Sequence, residues 1–133
     1  MRESLHDFMR LGIVQFMAFP QSKSSEHYLR TISAIIEDEF FDLIEITSAP
    51  DQQTAEQVRA LLQSSGVTVG FSAHPVLLGN QANLNAMEEE ERHRAVNLVK
   101  GSIDDAYHFG AANLAFMSGK DPGLSSGSGR WVI

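Results

Sequence analysis

Cysteine is absent from the 133-residue chain, which excludes disulfides, zinc–thiolate sites and thiol nucleophiles. That absence fits a reducing compartment, and a cytoplasmic location is the expectation. Positive charge is scarce: 10 Lys and Arg stand against 17 Asp and Glu, a formal net charge of −7. Such a chain repels a phosphate backbone, so no nucleic-acid partner is expected. No apolar run reaches the roughly 18–20 residues that a membrane-spanning helix needs, so no membrane partner is expected either. The opening MRESLHDFMR has charges but no apolar stretch of signal-peptide type behind them. Glycine is missing from FMAFPQSKSS, where a dinucleotide-binding fold would want G-x-G-x-x-G after its first strand. A P-loop is missing too, because Gly119-Lys120 lacks both the upstream glycine and a following Ser or Thr.

What remains is ordinary globular composition, 43% hydrophobic and 20% charged, enough for one domain. Four short apolar runs read as buried strands: LGIVQFMAF (11–19), DLIEITSAP (42–50), VTVGFSAHP (67–75) and NLAFMSG (113–119). Three amphipathic helices fit between them. The first follows a Ser24 or Ser25 cap and places Tyr28, Leu29, Ile32, Ile35, Ile36 and Phe40 on one face. The second follows Asp51, buries Ala55, Val58, Leu61 and Leu62, and ends at Gly66. Between the third strand and the third helix lies a polar loop, LLGNQANLNA. The third helix is expected after an Asn85 cap, with MEEEE as its first turn, Val96, Val99, Ile103, Ala106 and Tyr107 as its buried face, and Gly110 at its end. The order implies a parallel βαβαβαβ unit of the α/β class with right-handed crossovers. It suits either a small open sheet or half of a (β/α)₈ TIM barrel.

Glu45 is the most informative residue. It lies between Ile44 and Ile46 in a strand that should be buried on both faces. Alternation puts Leu43, Glu45 and Thr47 on one face and the isoleucines on the other. An ionised carboxylate there costs several kcal/mol, as an order of magnitude, unless it is paired or wet. It is therefore a candidate acid/base or substrate-binding group, the plainer reading being an ion pair or a hydrogen-bonded acid. Gln15 interrupts GIVQFM and is a candidate to bond Glu45 or a ligand, or else a satisfied core amide. His74, at the end of the third strand, sits where α/β folds place active sites, although a lone His beside a proline also suits a turn. Ser118 and Lys120 end the fourth strand and are candidate substrate contacts. The remaining histidines, His6, His27, His93 and His108, show no metal-ligand spacing, and no metal ligands are assigned.

GIVQFMAFP, FFDLIEITSAPD, VTVGFSAHPVLLG and LAFMSGKDPG, in this order and spacing, resemble the first half of the xylose isomerase-like TIM-barrel superfamily, the sugar phosphate isomerases/epimerases. The resemblance covers the chain from Leu11 to about Pro122. It implies a sugar or sugar phosphate substrate and proton transfer next to its carbonyl. It also implies that Glu45 and His74 line the substrate pocket. A divalent metal (Mn, Mg, Zn or Co) is implied as well, held in the family by later strands and so not by this segment alone. On that reading residues 1–123 are a half-barrel βα domain. Residues 124–133, LSSGSGRWVI, are a Gly/Ser-rich irregular tail with the look of a frameshift, a premature stop or an appended sequence. A half barrel has two open edges, so a homodimer closing the barrel is expected. A non-catalytic binding or assembly module is the alternative.

Overall fold

The computed structural model describes residues 5–119. The boundary expected at 123, the tail 124–133 and Lys120 lie outside the described residues. A 3₁₀ turn at Leu5–Asp7 precedes β1 (Gly12–Val14), α1 (Gln15–Ala18), α2 (Ser25–Glu37), β2 (Leu43–Ile46) and α3 (Gln52–Ser65). Then come β3 (Thr68–Ser72), α4 (His74–Gly79), α5 (Glu89–Phe109) and β4 (Asn113–Ala115). The strands form one four-stranded sheet in the order β1-β2-β3-β4, every pair parallel. The protein is thus α/β, with a parallel sheet alternating with helices. Among the described residues no helix is long and apolar enough to cross a membrane.

Local chemistry sets most boundaries. Ser24 accepts a bond from the backbone N–H of His27 and opens α2. Asp51 accepts from Thr54 N at 2.8 Å and opens α3. Gly66 and Gly110 end α3 and α5 with φ of 75° and 68°, a left-handed region where a Cβ is strained.

Sequential strand order keeps the helices together. Tyr28, Ile32 and Ile35 of α2, Val58 and Leu62 of α3, and Ala106 and Phe109 of α5 form one cluster with Ile44, Ile46, Val69 and Phe71 of the sheet. All these strand residues share one face, so the sheet is wound in one direction, unlike a doubly wound sheet whose helices cover both faces. The opposite face carries Val14, Leu43, Glu45, Thr68, Gly70 and Asn113, and among the described residues no helix adds to the core from that side.

Several expectations need correction. The first strand stops at Val14, not residue 19, because Gln15 turns the chain into α1 and Phe19 N bonds Gln15 O. The other strands are also shorter than their apolar runs. Residues 74–79, read as strand end and loop, form α4, in which Pro75 occupies the first turn. Proline lacks the N–H that this position leaves unpaired, so it starts a helix as readily as it ends a strand. Asn85 does not cap α5, whose first helical residue is Glu89. The buried stripe of α5 is Ala95, Ser102, Ala106 and Phe109, while Ile103 and Tyr107 are 39% and 83% exposed. Phe40, expected on the face of α2, lies beyond that helix and is exposed.

Candidate functional site

The open face of the sheet positions the first candidate. Glu45 is paired in register with Val14 on one side and Gly70 on the other, and Gly70 is paired with Asn113. Alternation therefore points Glu45 away from the helices, as the isoleucine spacing predicts, and both isoleucines are fully buried. The strand is not buried on both faces, however, and Glu45 is half-buried rather than sealed in. Gly70 leaves space for Asn113 rather than for Glu45: a Cβ built there would stand 2.9 Å from Asn113 Oδ1 but in ordinary contact, 3.8 Å, with the Glu45 Cγ. Among the described residues no hydrogen bond or ion pair engages the Glu45 carboxylate.

His74 enters from the C-terminal end of β3. Ser72, two residues beyond Gly70 and so on its face, holds the ring by Oγ···Nδ1 at 2.8 Å. Nε2 is thereby the nitrogen left for a ligand. The backbone beneath is braced, because Thr47 Oγ1 donates to Ser72 O at 2.9 Å and Ala73 N donates to Ala115 O at 2.9 Å. Glu45 and Ser72 thus share one face of the sheet, with His74 held by Ser72 beyond the C-terminal end of β3, four residues past the Gly70 that pairs with Glu45.

Gln15 does not join them. Its carboxamide is fully buried and turned toward α2, donating Nε2 to Ser22 Oγ at 2.9 Å and to Thr31 Oγ1 at 2.7 Å. Its buried Oε1 has no donor among the described residues. Leaving such an acceptor unpaired costs about 1–3 kcal/mol. Ser118 is exposed, and no hydrogen bond links it to the other candidates. Lys120 lies outside the described residues.

A polar cluster absent from the sequence reading lies at the same end of the sheet. Ser48 Oγ donates to Asp105 Oδ2 at 2.6 Å, and the Tyr28 hydroxyl donates to Thr47 O. Burial pushes the Tyr28 phenol well above the ordinary range, and the nearby Asp105 charge adds to that. His108 has a buried Nε2 without a hydrogen bond among the described residues, 3.9 Å from Glu56 Oε1. It lines a cleft of about 360 Å³ with Asp51, Glu56 and Asp105. These contacts join residues far apart in the chain, and no local motif signals them. Among the described residues no group of three His, Asp or Glu is placed to hold a metal ion. The described residues therefore make no cage for the divalent cation that the resemblance implies.

No family model, no curated protein and no solved structure matches this chain significantly.

Proposed function

We propose that the open face is the substrate face of a sugar or sugar phosphate isomerase/epimerase-like half barrel, working when further strands complete the sheet. The observation that carries this reading is the Glu45 carboxylate, without a hydrogen bond or ion pair among the described residues, on the face that one-directional winding would turn into a barrel lumen. Glu45 takes the proton from the carbon next to the carbonyl. The C–H electron pair becomes the enediol double bond, and the carbonyl oxygen receives a proton from His74 Nε2. The reverse sequence at the neighbouring carbon, or on the other face of the same carbon, gives the isomer or epimer. Glu45 is the base, His74 the acid, and Ser72 positions the imidazole.

The test is exchange of the carbon-bound proton. Aldoses, ketoses and their phosphates are incubated with the chain in D₂O and followed by proton NMR, with Mn, Mg, Zn or Co added in parallel. Exchange by the wild type that Glu45→Gln abolishes is the expected result. Equal exchange by both proteins removes Glu45 from the mechanism, and no exchange by the wild type, in an assembly that light scattering shows to be a dimer, overturns the reading that pairing of two copies completes the site.

A second reading, an assembly module, rests on edges and exposed apolar groups. Among the described residues β1 pairs only with β2 and β4 only with β3. Leu78 and Met117, 62% and 44% exposed, line one cleft beside the end of β4. Unpaired edges and apolar surface favour association, and a homodimer that pairs these edges is the form proposed.

A further inference from the structure

Helices on one face of a sheet need more width than the strands beneath them. Packed helices stand about 8–10 Å apart and paired strands about 4.8 Å. Here three helices share one face in the order α2, α3, α5, with α3 packed on both of the others. The row therefore has two end flanks, α2 on the β1 side and α5 on the β4 side.

The flank of α5 is apolar. Around this helix, at about 100° per residue, Asp105 and His108 face α3 across the cleft they share with Asp51 and Glu56. Next come Ala95, Ser102, Ala106 and Phe109, which are buried. Beyond these, on the side away from α3, Val96, Val99, Ile103 and Tyr107 make a further strip. None of the four belongs to the core cluster or packs against it, and Ile103 and Tyr107 are exposed. An apolar strip at helical spacing that the described residues leave uncovered has the character of a contact surface.

The flank of α2 is its counterpart. Ser25 donates to Asp51 at the cap of α3, which marks the side of α2 that faces α3. Ala34, nine residues later, lies half a turn round the helix and is exposed. Its small side chain leaves a hollow in which a large one can seat. The two flanks also agree in direction. Every strand pair is parallel and each helix runs back against the strand that follows it, so α2 and α5 point the same way. Ala34 stands three residues before the end of α2 and Ile103 six before the end of α5, less than one turn apart in level. Close to them, Arg30 and Asp104 are exposed, opposite in charge, and without an ion pair or side-chain hydrogen bond among the described residues.

Within one chain these flanks cannot meet, because α3 stands between them. They meet between copies set head to tail, the arrangement that also continues the parallel sheet from β4 of one copy to β1 of the next. We propose that the α5 strip of one copy docks on the Ala34 flank of α2 in a second copy. Two copies make this contact twice, with Arg30 facing Asp104 at its rim. The proposal rests on the edge-paired homodimer and fixes which edge meets which.

The chain has no cysteine, so introduced thiols report contacts without background. Ala34→Cys, Ile103→Cys, their equimolar mixture and the double variant are treated with a short bismaleimide and run on a denaturing gel. The mixture and the double variant should give a covalent dimer, and each single variant almost none. Arg30→Asp sets like charges against each other and should raise the dimer dissociation constant about tenfold in sedimentation. Adding Asp104→Arg should restore most of that loss. A dimer by light scattering without the mixed cross-link overturns this docking and leaves edge pairing standing. Cross-linking of Ile103→Cys alone would put the strip against a second α5, and a ladder of higher masses would show an open chain of copies; either result sinks the proposal. A monomer removes both the docking and the edge pairing.

Discussion

Glu45 lies beside Gly70 on the open face, with only hydrogen where a Cβ would come 3.8 Å from the Glu45 Cγ. Strand alternation shows how a carboxylate is tolerated between two buried isoleucines. The isoleucines face the helices, and the half-buried carboxylate lies on the side where, among the described residues, no helix adds to the core. Glu45→Gln should shift the denaturant midpoint by less than the equivalent of about 1 kcal/mol, since no buried partner is orphaned. Should the proton-exchange activity be present, the same change should lower it by a factor of about 10²–10⁴, the usual worth of a general base. Urea melts and the exchange assay check the two halves separately.

Thr31 and Ser22 hold the buried Gln15 amide, and that bond shapes the turn after β1. Thr31→Val keeps the shape of the side chain but removes the acceptor at 2.7 Å from Nε2. A loss of about 1–3 kcal/mol is expected, because Nε2 is left with one unmet proton in a buried site. Ser33→Ala, on the same helix but half-buried and bonded only to a helix carbonyl, serves as the control and should cost much less.

Ser102 offers the opposite sign. Its hydroxyl is buried without a hydrogen-bond partner among the described residues, and the residue is 2% exposed. Ser102→Ala removes an unpaired polar atom and improves helix propensity, so it should stabilise the chain by about 0.5–1.5 kcal/mol. A lowered melting temperature would show that the hydroxyl has a role.

Acid should weaken the fold through two exposed aspartates. The Leu11 N–H and His6 hold Asp42 below its ordinary range, while the Ser25 hydroxyl and the Thr54 N–H do the same for Asp51. A carboxyl with a depressed folded-state value stabilises the chain above the unfolded value, about 3.9. That contribution is lost as pH falls through the lower folded value. Stability measured from pH 6 down to pH 2 should therefore fall below about pH 4. The fall should be smaller in Asp51→Asn, which loses the titrating group.

Base acts through Tyr28. Its folded value is raised by burial, so its contribution is complete below the ordinary phenol range, about 10, and declines as pH rises beyond it. Ultraviolet titration should show the Tyr28 phenolate only as the fold opens. Tyr28→Phe should remove that optical step and cost about 1–2 kcal/mol for the bond to Thr47 O.

Assembly is measurable in the same preparation. Multi-angle light scattering should report a dimer if the proposed edge pairing holds, and a sharp monomer peak with cooperative melting would exclude it. Leu78→Lys and Met117→Lys place charge on the exposed cleft beside β4 and should shift the mass toward monomer.

The sequence by itself determined the alternation of strands and helices, the cap at Asp51 and the terminating glycines at 66 and 110, and it narrowed the first cap to Ser24 or Ser25, of which the structure uses Ser24. It also determined which side of β2 carries Glu45. These features depend on contacts within about four residues, or on a two-residue alternation, and such signals are written locally. Only the tertiary structure decided the rest. On α5, two neighbouring stripes carry apolar residues, and packing against α3 and α4 selected the one with small Ala95, Ser102 and Ala106 over Ile103 and Tyr107. Gln15 left the strand because its amide found Ser22 and Thr31, 7 and 16 residues away. Ser48 met Asp105 across 57 residues. Contacts at such separations depend on where whole elements pack, which no short window of sequence encodes.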